Sequence, residues 1–190
     1  GDVYKRQEIE KILEKKNIPF KCFKGNVLNE YQSITKNDGT PFKVFSPFWR
    51  NAEQVFLDAV PQKTSEIKKL KSKKTIFNSK DTFKQIMPKK DWFKKFDQYW
   101  KPSEDEAHKN LKEFISNRIS KYGVDRDYPS INGSSKLSPY IRNGQIHVAA
   151  IYEKSSKDIK KNISIRKYIN ELGWREFSHS LINYFPQMLK

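Results

Sequence analysis

Small hydroxyl side chains cluster in the stretch RDYPSINGSSKLSPYIRNG, residues 126–144, between segments rich in Lys and aromatic residues. The polar donors near its centre are three hydroxyls and one cation: Ser134, Ser135, Lys136 and Ser138. Ser138 followed by Pro139 predicts a helix N-terminus, because Ser is a good N-cap and Pro suits the first helical position. Unpaired backbone N–H groups at such an end favour negative charge, so the stretch could bind phosphate groups.

The same serines have a simpler interpretation, because hydroxyl residues around helix ends often serve only as caps. The stretch also lacks the Gly-rich spacing of a P-loop. Taken alone, it leaves both interpretations open.

The sequence gives little support for metal-dependent or nucleophilic catalysis. The three histidines are scattered and are interpreted as structural or surface residues: His108, His147 and His179. No His/Cys cluster with metal-ligand spacing and no Ser-His-Asp arrangement is present, so we expect neither a bound metal nor a side-chain nucleophile.

Helices must position the loop. Ser103 with Glu106 forms a capping box, which begins a helix expected to run to Gly123. Its apolar stripe comprises Ala107, Leu111, Phe114, Ile115, Ile119 and Tyr122. Two more helices are predicted after the loop, in IHVAAIYEK and in SIRKYINELGWREFSHSLINYF, the second ending at Pro186.

The first part of the chain has a different pattern. A helix over EIEKILEKKN, with Ile9, Ile12 and Leu13 on one face, precedes the strand-like IPFKCFKG, as at the end of an α/β unit. A further helix carries Phe48, Ala52 and Val55 on one side. Residues 61–102 have weak periodicity and many lysines, which predicts a long connection between domains. Residues 1–7 are similar to a translated library-preparation adapter and are set apart from the fold.

The formal net charge of +16 indicates a polyanionic partner such as nucleic acid. Because Lys greatly outnumbers Arg, AT-rich codon usage explains the same composition, and composition does not decide between the two. No apolar run is long enough to span a bilayer, and the single Cys22 cannot form an intrachain disulfide. We therefore expect a cytoplasmic protein.

Four motifs in order resemble the DNA photolyase/cryptochrome family, in particular its class I-like deoxyribodipyrimidine photolyases. SSKLSPYIRNG is similar to the family loop T-S-R-L-S-P-x-L-x-x-G-E, and NELGWREF to W-x-x-E-L-x-W-R-E-F. GTPFKVFSPFWR resembles the end of the family's α/β antenna domain, and YWKPSEDEA its entry W-x-P-G-E-x-x-A to the flavin domain. The resemblance implies an α+β internal fragment: the end of a Rossmann-like antenna domain over 8–60, a linker over 61–102, and a truncated helical FAD-binding domain over 103–190.

The resemblance also implies the roles of individual residues. The flavin contacts would be Tyr122, Ser134, Ser135, Lys136, Leu137, Ser138, Tyr168 and Arg175. The DNA contacts would be Arg126, Glu171, Trp174, Arg175 and Ser178, with Glu171 and Trp174 at the reacting lesion. A core role is the alternative for Tyr122 and Trp174. The chain departs from the family pattern at Ser103, Ser134, Lys136, Gln145 and Tyr168, which puts single contacts in doubt but not the resemblance.

The function implied is light-driven repair of cyclobutane pyrimidine dimers in damaged DNA by a monomeric enzyme. Reduced FAD would be the cofactor, with an antenna pigment such as methenyltetrahydrofolate, and neither a metal nor a membrane would be needed. The resemblance further implies a bacterial-type protein that associates with the nucleoid through DNA, and the fragment alone is expected to be inactive. The alternatives are a cryptochrome-type blue-light photoreceptor and a non-catalytic basic module that binds nucleic acid through charge.

Overall fold

The computed structural model of the chain describes residues 2–20, 25, 27–58, 87 and 89–189. Within these residues the regular structure is helical and no strand is present. The α-helices of this part are α1 (Asp2–Lys15), α2 (Phe45–Asp58), α3 (Glu104–Asn117), α4 (Tyr122–Asp125), α5 (Ser138–Arg142), α6 (Val148–Ser155) and α7 (Ile163–Tyr184). Short 3-10 helices cover Tyr31–Ser33, Asp91–Gln98, Ile119–Lys121, Ser156–Asp158 and Pro186–Leu189.

The longest helix, α7, is central to the packing because α2, α4 and α6 all contact it. Asn162 caps its start, since the Asn162 side-chain oxygen accepts the Ser164 N–H at 2.7 Å. The helix ends at Tyr184, just before Pro186, as the sequence predicts. The most deeply buried core residues are Leu28, Ile34, Phe48, Ala52, Ala107, Leu111, Phe114, Leu137, Tyr140, Val148, Ile151 and Ile169.

The predicted start of α3 is confirmed. The Ser103 hydroxyl accepts the Glu106 N–H at 3.1 Å, and Glu104 and Asp105 lie in the first turn. Ala107, Leu111 and Phe114 are buried, as the predicted apolar stripe requires.

The predicted end of this helix is wrong. The α-helix stops at Asn117, and Gly123 lies inside the separate short helix α4 instead of terminating α3. The chain turns at Arg118 through a 3-10 segment. Gly123 serves close packing there, because a Cβ atom at this position would lie 2.9 Å from the Ser164 hydroxyl of α7.

Two further predictions about elements need correction. The Ser138 side chain makes no cap hydrogen bond, because α5 already begins at Ser138 and Pro139 follows inside the first turn. The helix α1 is confirmed over residues 8–15, but it begins at Asp2, inside the segment that the sequence analysis set apart from the fold, and Ile9 and Ile12 of its predicted face are exposed.

The expected strand and linker fall largely outside the described residues. Of IPFKCFKG, only residues 18–20 and 25 are described, and they form no regular structure. The described end of the 61–102 connection contains the exposed 3-10 helix Asp91–Gln98. The division into two domains and the Rossmann-like fold therefore stay predictions. No helix among the described residues is both long and apolar enough to cross a membrane.

Candidate functional site

Two tyrosines from different helices meet beside α7. Tyr122 at the start of α4 and Tyr168 of α7 pack edge to face with ring centroids 5.1 Å apart, and Phe114 contacts both rings. Both tyrosines are buried. Burial raises the pKa of the Tyr168 phenol to about 12, and the nearby Ser135 side chain offsets part of that rise. Ser135 therefore lies beside the tyrosine pair.

A charged pair lies at the edge of this aromatic group. The Arg126 guanidinium donates to the Glu171 carboxylate and lies over the Tyr122 ring, 5.3 Å from its centroid. The side chains of Arg126 and Glu171 are each roughly one-third exposed, so water and solutes reach the pair. The structure thus brings together two residues that the sequence assigns to DNA binding.

Arg118 binds the backbone of the loop that carries Ser134, Ser135 and Ser138, referred to as the serine loop. Arg118 donates from one guanidinium nitrogen to the carbonyl oxygens of Asn132 at 3.2 Å and Ser134 at 2.9 Å. Its second terminal nitrogen pairs with Glu113, which fixes the guanidinium. Hydrogen bonds to a charged donor are worth about 1.5–3 kcal/mol each, so Arg118 restrains the loop substantially.

The loop residues themselves face different surroundings. Ser134, Lys136 and Ser138 are exposed, Ser135 is partly buried, and Leu137 is buried in the core. Lys136 has φ +54°, a left-handed conformation that non-glycine residues seldom adopt. Such backbone strain is typical of functional loops, because neighbouring contacts must hold it in place.

Trp174 and Ser178 occupy the next turns of α7. Trp174 is 46% exposed, and its ring stacks on Phe45 of α2 with centroids 3.8 Å apart and planes 7° apart. The Ser178 hydroxyl donates to the Trp174 carbonyl at 2.9 Å. Trp174 lies three residues after Glu171, so the two share one face of the helix.

Among the described residues, Arg175 makes no hydrogen bond to the loop. Its guanidinium donates at 3.1 Å to Glu176, whose other carboxylate oxygen accepts the Leu28 N–H at 2.7 Å. Burial raises the pKa of Glu176 to about 7, although Leu28 and Arg175 both favour its charged form. Burial also lowers the pKa of Arg175.

Sequence reasoning missed three residues of this region: Phe45, Arg118 and Glu176. A signal was present for Glu176, because it lies four residues after Leu172 on the buried side of α7. Arg118 likewise lies four residues before Tyr122, on the face that carries the apolar stripe. For Phe45, the sequence shows an aromatic residue at the start of a helix, but it does not show that this residue contacts α7.

Two of the three histidines make polar contacts with neighbouring elements. His147 caps α6, since its ring accepts the Ala149 N–H at 3.1 Å and its other nitrogen lies 2.8 Å from the Gly25 carbonyl. His108 lies 3.4 Å from the Lys154 amine. Across residues 2–20, 25, 27–58, 87 and 89–189, no three His, Cys, Asp or Glu side chains form a group that could hold a metal ion.

Known proteins are similar to this chain along nearly its whole length. The sequence model described as DNA photolyase matches residues 3–69. A deoxyribodipyrimidine photo-lyase from Alkalihalophilus pseudofirmus is 32% identical over 200 residues, covering 98% of this chain and 39% of the relative. A second, from Agrobacterium fabrum, is 28% identical over 186 residues and covers 95% of this chain and 38% of the relative.

A solved structure has the same arrangement of helices. The crystal structure of a bacterial class III photolyase from Agrobacterium tumefaciens superimposes with a TM-score of 0.76 at 27% identity. The alignment covers 97% of this chain and 39% of that chain. The chain therefore spans about two fifths of the length of these relatives.

Proposed function

Because this chain belongs to the DNA photolyase family, we propose that the protein containing it uses light to split cyclobutane pyrimidine dimers in DNA. The observation that carries the proposal is an exposed aromatic platform on α7, near a charged pair that joins α7 to the residue after α4. Trp174 presents the platform, and Glu171 with Arg126 forms the pair. Enzymes that act on extruded bases need both an aromatic stacking surface and polar groups for the exposed base edge.

The family implies FAD as the cofactor, and the residues present fit its phosphate-bearing part. Exposed Ser134 and Ser138 offer hydroxyl donors, and Lys136 offers a cation within the same loop. Two carbonyl oxygens at the base of the loop, on Asn132 and Ser134, already accept hydrogen bonds from Arg118. Groups that would repel a phosphate are thereby paired, and we propose that the loop holds the pyrophosphate.

The buried residues would form the rest of the cradle. Tyr122 and Tyr168 would pack beside the cofactor, and the Ser135 side chain would lie next to the Tyr168 hydroxyl. Leu137 is buried in the core and would anchor the loop there. When bound, reduced FAD supplies the electron for dimer splitting after blue-light excitation, directly or through an antenna pigment such as methenyltetrahydrofolate.

On the DNA side, each residue would have a separate task. Trp174 would stack on the extruded dimer, and the Glu171 carboxylate would accept a hydrogen bond from a base N–H. Arg126 and Arg175 would bind backbone phosphates, with Ser178 as a neutral donor on the same helix. Since Arg126 pairs with Glu171 in the absence of DNA, a phosphate would have to compete for the guanidinium.

A repair assay on thymine-dimer oligonucleotides tests this proposal, using protein expressed from the complete open reading frame with its flavin reduced. Trp174→Ala should weaken binding to the dimer by about 1–3 kcal/mol, the usual scale for base stacking, and leave binding to undamaged duplex intact. Glu171→Gln should keep flavin binding and lower the yield of splitting per absorbed photon. Trp92→Ala, which removes another exposed tryptophan, is the matched control and should change neither quantity.

The assay also separates the alternatives. A wild-type protein that binds flavin but repairs no dimer would favour a blue-light photoreceptor. One that binds no flavin and binds all DNA in a salt-dependent way would favour a basic module without catalysis. Normal repair by the Trp174 and Glu171 variants would show that the lesion does not bind on this face of α7.

A further inference from the structure

Three aromatic side chains connect α2 to the exposed face of α7. Phe45, the first residue of α2, lies parallel to Trp174 with a 3.8 Å centroid separation and a 7° angle between the planes. Phe177 meets both rings edge-on, at 6.0 Å from Trp174 and 6.1 Å from Phe45. The indole is therefore fixed from one side by a flat ring and from its edge by a third ring.

The exposure of Trp174 shows which of its surfaces remains available. A ring has two faces, and a parallel neighbour at 3.8 Å excludes water from one of them. Trp174 is nevertheless 46% exposed, so the exposed area belongs to the opposite face and the free edges. A tryptophan on a helix surface would otherwise sample several rotamers, and ordering it for a ligand would cost conformational entropy.

We propose that Phe45 is the positioning residue for Trp174, holding the indole so that its free face receives an extruded base of damaged DNA. The inference rests on the proposed function and names a residue on a second element that the platform needs. Phe45 itself does not touch the DNA. It would form the rear layer of a three-layer stack of phenyl ring, indole and base.

The opposite arrangement makes the opposite prediction. If the base instead binds where Phe45 lies, Phe45 blocks the site and must leave before the lesion can stack. Removing its ring would then strengthen binding to the lesion.

The test compares dissociation constants in the dark for a thymine-dimer duplex and an undamaged duplex, using protein from the complete open reading frame. Phe45→Leu removes the stacked ring and should weaken binding to the dimer by about two- to tenfold, the range expected for losing an aromatic pair. Binding to undamaged duplex should not change. Phe45→Tyr keeps the ring and should restore the wild-type ratio of the two constants.

Phe56→Leu is the matched control, because Phe56 lies on the same helix and packs on Tyr152, away from Trp174. It should leave the ratio unchanged, and melting temperatures identify any general loss of folding. Phe45→Met repeats the test with a side chain that fills more of the vacated volume. The preference for damaged DNA is the dissociation constant of the undamaged duplex divided by that of the dimer duplex. A preference that stays at the wild-type value, or rises, in Phe45→Leu and Phe45→Met overturns the inference. A wild-type protein that binds both duplexes equally overturns the proposed function as well.

Discussion

At the scale of single residues, the most informative contact is the pair between Arg126 and Glu171. Ion pairs that are open to solvent contribute little to stability, with a median of about 0–1 kcal/mol. Stabilisation of the fold is therefore a poor explanation for the pair between Arg126 and Glu171. A guanidinium that is accessible and already oriented can exchange a carboxylate for a phosphate at small cost, because both acceptors offer paired oxygens. We therefore propose that the Arg126 guanidinium exchanges Glu171 for a backbone phosphate when DNA binds.

Arg126→Ala should weaken binding to damaged and undamaged duplex alike, because a phosphate contact carries no sequence or lesion information. Each neutralised phosphate releases condensed counterions, so the slope of log affinity against log salt should fall in magnitude by about one. The measurement is a salt titration of both duplexes. Arg142→Ala, at the exposed end of α5, is the control. A loss confined to the damaged duplex would show that Arg126 contacts the lesion.

At the scale of elements, α7 brings the site together, and Gly173 allows α2 to approach it. A Cβ atom at Gly173 would lie 2.5 Å from the Trp49 ring, far inside van der Waals contact. The indole of Trp49 is buried and bounded by Tyr152, whose centroid is 6.5 Å away. The same approach of the two helices places Phe45 against Trp174, so the geometry of the site depends on this glycine.

Gly173→Ala should lower the free energy of unfolding by about 1–3 kcal/mol, the usual cost of overpacking a core, as measured by urea denaturation. The sign is diagnostic, because replacing Gly by Ala inside a helix otherwise stabilises by about 0.5–1 kcal/mol. Asn183→Ala, at an exposed position of α7, controls for general effects on the helix. Stabilisation by Gly173→Ala would mean that Trp49 can move without cost.

At the scale of the whole molecule, Glu176 connects parts of the chain that lie 148 residues apart. Its carboxylate accepts the Leu28 N–H and so ties the segment before α2 to the last long helix. Desolvation is the largest influence on this group and raises its pKa to about 7 from an ordinary value of 4.5. The folded state therefore binds the proton more tightly than the unfolded chain does.

A raised carboxyl pKa stabilises the fold most below pH 4.5, and that contribution is lost as the pH rises from 4.5 to about 7. Glu176→Gln keeps an oxygen for the Leu28 N–H but removes the titration. The stability of wild type relative to the variant should therefore fall by on the order of 1–3 kcal/mol between pH 4.5 and pH 8. Glu153→Gln, at an exposed carboxyl, should leave the pH profile of stability unaltered. Parallel profiles for wild type and Glu176→Gln would contradict the prediction.

The local patterns of the sequence were sufficient for much of the helical framework. The cap at Ser103, the stripe of α3 and the end of α7 before Pro186 are confirmed, because each depends on residues a few positions apart. The family could likewise be identified from motifs, since these are local strings in a fixed order. The helix expected to reach Gly123 was wrong because its end depends on packing against α7, which local spacing does not encode.

The sequence by itself determined which residue types were available: hydroxyls and a cation in one loop, and a carboxylate and an indole on one helix face. Only the tertiary structure decided what holds them. Arg118 reaches the loop carbonyls, Phe45 stacks on Trp174, and Glu176 is buried against Leu28. The first of these contacts joins residues 16 positions apart and the last joins residues 148 positions apart. The physical reason is that burial, stacking and desolvation arise between elements, so they exist only after the helices pack.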